Sequence, residues 1–131
     1  MFDLLKFFKK KTDCQNSRFP LIVVGKIIEV LPHPQADRLH LAKVDIGTAI
    51  LTIVCGAPNI EAGQLVPVAK IGAQLPSGTI ISPVNLRGQL SSGMLCSAQE
   101  LGLGEDHSGI MLLNILKVRQ LGESLDSYLM H

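Results

Sequence analysis

From Pro20 onward the chain is a succession of short apolar runs rich in valine, isoleucine and leucine, each cut off by turn residues. That pattern calls for strands, because β-branched residues suit a pleated, half-buried surface and glycine or proline clusters end it. The first run, from Leu21 to Val30, reads as one long strand, with Gly25 marking a bend or bulge. Residues 31–37 read as a loop, since Pro32 and Pro34 cannot donate to a ladder. Leu39 to Ile46 alternates apolar with polar apart from a slip at Ala42, stops at Gly47, and with Ile50 to Cys55 predicts a hairpin. Asn59 is placed to cap a short helical turn over 60–64. Further strands are expected at Leu65 to Ala69, Thr79 to Ile81, Val84 to Leu86 and Ile110 to Leu113. Helical stretches are expected after Ser97, up to Gly102, and weakly over Leu121 to Met130.

Five or six strands with little helix predict an all-β chain, a small closed barrel of the oligonucleotide/oligosaccharide-binding (OB) type with short helices. A sandwich is the other all-β solution, and strands this unequal in length argue against it. A length of 131 residues suits one domain with a real core. That domain is expected over 20–131, behind a basic amphipathic leader and linker at 1–19. In the leader, apolar residues at 1, 4, 5 and 8 precede Lys9, Lys10 and Lys11. The charges follow the apolar stretch, so it is no secretory signal. It either docks on a partner or packs loosely on the domain. No run approaches the length of a membrane span.

Charge narrows the function classes. Residues 1–19 carry five basic and two acidic side chains, whereas the rest carries seven basic and nine acidic. Non-specific nucleic-acid binders advertise a basic surplus, because phosphate neutralisation supplies most of their affinity. Any nucleic-acid contact in this body is therefore local and shape-dependent, or recruits the leader. Cys14, Cys55 and Cys96 have no metal-ligand spacing, so no structural metal and no cofactor is expected. Three scattered thiols suit a reducing cytoplasm, each buried as a small hydrophobe. His33 near Asp37 and Arg38, and Asp106-His107 near Glu105, lack a nucleophile at a useful spacing and read as turn and loop stabilisers. Cys55 before Gly56-Ala57-Pro58 has no nearby histidine, so no enzyme is implied.

Residues 85–97, Asn-Leu-Arg-Gly-Gln-Leu-Ser-Ser-Gly-Met-Leu-Cys-Ser, concentrate the chemistry. Arg87 offers a fork of donors; Asn85, Ser91, Ser92 and Ser97 add short hydroxyl and amide groups. The stretch is either a strand carrying a recognition surface or a hairpin whose serines satisfy local backbone groups.

Several ordered fragments make a resemblance specific. They are His33-Pro34-x-Ala36-Asp37-Arg38-Leu39, Ile53-Val54-Cys55-Gly56-Ala57-Pro58-Asn59, Gly72-Ala73-x-Leu75-Pro76-x-Gly78, Leu86-Arg87-Gly88, Gly93-Met94-Leu95-Cys96-Ser97 and Glu100-Leu101-Gly102-Leu103-Gly104-Glu105-Asp106-His107. Together they resemble the tRNA-binding domain family, in the version found near the N-terminus of the bacterial phenylalanyl-tRNA synthetase beta subunit. The resemblance covers roughly 21–113. It implies an OB-type barrel that binds tRNA without catalysis, alone or in trans with a synthetase subunit. It also implies an RNA face at Arg87, Ser92, Met94 and Ser97, with Asn59 on the neighbouring turn, to which the donors Asn85 and Ser91 of the same segment are added. With so few aromatics, Phe19 being at the edge of the core, backbone and shape recognition is expected over base stacking. The chain is expected to be a free-standing module or a diverged fragment, unable to aminoacylate alone. The rival expectation is a protein-interaction or homodimerisation module, self-associating through its leader.

Overall fold

A computed structural model describes residues 18–130. The amphipathic helix expected at the start of the chain, and Cys14, lie outside the described residues. Seven strands follow in order: β1 (Ile22–His33), β2 (Ala36–Asp45), β3 (Ile50–Cys55), β4 (Leu65–Ala69), β5 (Val84–Leu86), β6 (Gln89–Ser91) and β7 (Met94–Leu95). One short helix, α1 (Leu125–Leu129), comes last. Five strands form one antiparallel sheet in the order β3-β2-β1-β4-β7, and β5 pairs with β6 as a separate hairpin. The fold is all-β with antiparallel pairing throughout.

The long first strand organises the molecule. Its first part, Ile22 to Lys26, pairs with β4, and from Lys26 to His33 it pairs with β2. The expected loop at 31–37 is therefore wrong at both ends: Leu31, Pro32 and His33 remain in β1, Ala36 and Asp37 already belong to β2, and only Pro34-Gln35 turn the chain. Past Lys26, β4 no longer pairs with β1, and a strand with one free side tolerates a residue lacking an N–H. The bulge sits at Ile28, between the pairs Ile27–Val44 and Glu29–Lys43, rather than at Gly25. Gly25 serves another end. A Cβ there would lie 2.7 Å from Val44 Cγ1 and 2.7 Å from Val68 Cγ2, so the strands meet over a bare backbone.

Both faces of β4 are buried. Val66 and Val68 of β4 join Ile27, Val44, Ile53 and Leu95 in one cluster; Leu65 and Ala69 join Phe19, Ile22, Val24, Leu101 and Leu125 in the other. Alternate residues of one strand thus feed two cores, which is why β4 reads as a continuous apolar run. Fully burying side chains such as Ile22, Ile27 and Ile53 stabilises the fold by roughly 1.5–3 kcal/mol each. Phe19 is 1% exposed and belongs to this core, not to its edge. Its backbone N–H and that of Arg18 donate to the Asp126 carboxylate at 3.1 and 2.9 Å.

The C-terminal segment straps the first half of β1. Val24 N donates to Glu123 O at 2.9 Å and Gly122 N to Val24 O at 2.7 Å. Ser124 caps α1, and Leu125 and Tyr128 are buried. The helical expectation for 121–130 thus shrinks to five residues. Four others are corrected. Residues 60–64 and 98–101 form turns, Thr79–Ile81 contributes only the bridge between Gln74 and Ile80, and 110–113 is irregular. That last segment still donates from Met111 N to Cys96 O and from Leu113 N to Leu65 O. No described helix is long and apolar enough to cross a membrane.

Candidate nucleic-acid interface

Leu86 pairs with Gln89, leaving Arg87-Gly88 as a two-residue hairpin loop. Arg87 has φ 53° and Gly88 φ 88°, the two left-handed residues of a type I′ turn. Holding a non-glycine residue there costs energy, so the surroundings must over-determine the turn. They do. Asn85 Oδ1 accepts from Gly88 N at 2.9 Å, closing the loop from inside. His33, 5% exposed at the end of β1, accepts from Gln35 N through Nδ1 at 2.9 Å. Its Nε2 must then carry the proton, which it donates to Leu86 O at 2.8 Å. At the hairpin's other end Ser91, 4% exposed, accepts from Val54 N and donates to Gly93 O, both at 3.0 Å. Arg87 thus stands exposed at the apex of a hairpin pinned at both ends.

The seven residues singled out from sequence fall into distinct environments. Asn85 and Arg87 are exposed; Ser92, Met94 and Asn59 are half-buried; Ser91 and Ser97 are buried. Ser97 closes a capping box: its Oγ accepts from Glu100 N at 3.2 Å, and Glu100 Oε1 accepts from Ser97 N at 2.9 Å. Asn59 does not cap 60–64. Its amide donates to Ile110 O at 3.0 Å and accepts from Ile110 N at 2.9 Å, seating the chain after Gly109, where a Cβ would collide with it. Met94 borders several clefts, two of them against β3. One, of about 390 Å³, runs under the hairpin with Ile80, Val84 and Leu86. The other, of about 460 Å³, includes Cys55, Ala57, Gln99 and His107.

Two contributors were not singled out as site residues. His33 was expected to steady its own turn, and it also holds the Arg87 hairpin. Arg38, on β2, lines a third cleft, of about 350 Å³, with Gln35, Ala36, Asp37, Leu39 and Arg87. The only sequence signal for Arg38 was its place in the His33–Leu39 fragment.

Most acidic groups in the body are committed elsewhere. Asp45, Glu100, Glu123 and Asp126 accept from backbone N–H groups of turns and caps. Burial pushes the Glu123 carboxyl up, but N–H bonds from Arg119 and Gln120 outweigh it and hold it below the usual range. Hydrogen bonds from the Ser108 side chain and backbone do the same for Asp106. Burial pushes the Cys96 thiol up to about 12 and raises Cys55 as well, so both stay protonated and unreactive.

A family model described as "Putative tRNA binding domain" matches residues 22–120. The phenylalanine–tRNA ligase beta subunit of Chlorobaculum tepidum is 51% identical over 113 residues, covering 82% of this chain. The chain spans 14% of that subunit's length. Among solved structures, the C-terminal domain of Plasmodium vivax p43 superposes with a TM-score of 0.56 at 26% identity, over 80% of this chain and 58% of that one. A protein of Pyrococcus horikoshii described as related to MetRS shares the fold with a TM-score of 0.57 at 19% identity, over 94% and 95% of the two chains. An RNA ligase of Naegleria gruberi shares it with a TM-score of 0.52 at 20% identity, over 63% and 29%.

Proposed function

The chain belongs to the tRNA-binding domain family, and from that premise we propose that it binds tRNA without catalysing a reaction, through backbone and shape contacts centred on Arg87. The observation that carries this is the pinned β5–β6 hairpin, which spends the Ser91 hydroxyl and the Asn85 amide oxygen on structure and presents one exposed guanidinium at its apex. Arg87 offers a bidentate fork to phosphate, and Asn85 near the apex with Ser92 and Met94 beyond the base of the hairpin are assigned sugar and base-edge contacts. Ser91, Ser97 and Asn59 act within this reading as the frame that sets the face. The sheet is taken as a closed barrel of the OB type. One end strand, β3, is tied to the end of β6 and to the link that leads into β7, the other end strand. There Ser92 N donates to Thr52 O at 3.0 Å and Ser91 accepts from Val54 N. The working place is the cytoplasm, alone or beside a synthetase subunit.

A filter-binding titration against bulk tRNA at two salt concentrations tests the proposal. Binding at low salt that weakens as salt rises is expected, because phosphate neutralisation releases counterions. Absence of binding at low salt, or binding indifferent to salt, contradicts it. A second reading, a protein-interaction or homodimerisation module, is favoured by Ile115 and Leu116, which lie side by side 72% and 90% exposed. Light scattering that finds a monomer removes the homodimer version.

A further inference from the structure

We propose that Arg38 and Arg87 form one two-arginine clamp for an RNA phosphate, built across the cleft between the β1–β2 and β5–β6 hairpins. The inference deepens the proposed function and rests on that reading. The two residues are far apart in sequence, yet line the same cleft of about 350 Å³. Neither guanidinium makes a hydrogen bond or ion pair among the described residues. Asp37 lines the cleft as well, and still neither arginine bridges to it. Ten N–H donors are therefore left for a ligand, in a planar geometry that suits phosphate oxygens better than a point charge would.

What makes this a built site is the link between the hairpins. His33 closes the first, beside the Pro34-Gln35 turn, and donates across the gap to the carbonyl of Leu86, the residue before Arg87. The bond fixes the apex of one hairpin against the tip of the other. The backbones that carry Arg38 and Arg87 are then held together before any ligand arrives, so binding has to order only the two side chains. Asp37 is the single carboxylate lining the cleft, so the local balance is basic although the body of the chain is not.

The test is a salt series of bulk tRNA binding by the full chain and by Arg38→Ala, Arg38→Lys, Arg87→Asn and the double variant Arg38→Ala/Arg87→Asn. Arg38→Ala should weaken binding roughly tenfold, as expected for losing a charge-assisted hydrogen bond. It should also lower the magnitude of the log–log salt slope by about 0.7–0.9. Arg38→Lys, keeping charge and losing the fork, should recover the slope and only part of the affinity. Because both arginines grip one phosphate, the double variant should lose less than the sum of the single losses. Arg38→Ala matching the parent chain in affinity and slope overturns the clamp, as do two losses that simply add. A parent chain that binds no tRNA sinks the functional reading itself. The clamp is then read from the Arg38 and Arg87 Nε–H resonances on adding inorganic pyrophosphate. Shifts in both sustain the clamp, and their absence overturns it.

Discussion

At the scale of single residues, the same chemistry serves opposite ends depending on where the backbone turns. Ser91 and Ser92 are neighbours with the same hydroxyl. The first is buried with its Oγ spent on Val54 N and Gly93 O, while the second stays half-exposed. Ser91→Ala leaves the buried Val54 N–H without its acceptor and should cost about 1–3 kcal/mol in chemical denaturation, with Ser92→Ala close to neutral. Equal effects would contradict this assignment. The sequence could not tell these two serines apart, because the partner that claims Ser91 lies 37 residues away. Asn59 was misread as a local cap for the same reason, its partner Ile110 being 51 residues away. Ser97, whose cap partner is three residues on, looked from sequence like either a recognition donor or a helix start, and the structure makes it the capping box.

Among the elements, what was legible followed local rules, and what was not depended on neighbours. The hairpin at Gly47 and strands β4 and β5 follow from apolar patterning and turn residues alone, whereas the β5–β6 hairpin was one of two readings left open for 85–97. The continuation of β1 through Pro32 does not, because it depends on β4 ceasing to pair at Lys26. The helix expected at 60–64 failed because a tertiary bond, Gly63 N to Ile27 O, claims a backbone group a helix would use. The one at 98–101 stops after a single helical bond, Leu101 N to Ser97 O, where Gly102 at φ 68° turns the chain. Gly25 is the element-scale lesson: a residue that looked like a bulge is a clearance. Gly25→Ala should lower stability by about 1–3 kcal/mol through overpacking against Val44 and Val68. Thermal unfolding at an unchanged midpoint would show that the strands can part without penalty.

Over the whole molecule, charge sets both the acid limit and the functional claim. The folded carboxyls of Glu123 and Asp106 lie below their ordinary values, so the unfolded chain binds protons more readily. Their stabilisation is complete above the unfolded carboxyl range and lost as pH falls through the folded values. Unfolding free energy should therefore hold down to about pH 4.5 and fall below it, and Glu123→Gln should flatten part of that decline. An unchanged acid limb in Glu123→Gln would remove Glu123 from this account. The same bookkeeping of acids explains how a body with more acids than bases can hold a basic cleft: several carboxylates serve turns and caps, and among the described residues Asp37 is the one carboxylate lining the cleft. The most direct test of RNA binding at that cleft is Arg87→Asn, since asparagine before Gly88 suits the type I′ turn and removes only the cation. The variant should unfold no earlier than the parent chain yet bind bulk tRNA roughly tenfold more weakly. An intact variant that binds tRNA as tightly as the parent would contradict the account.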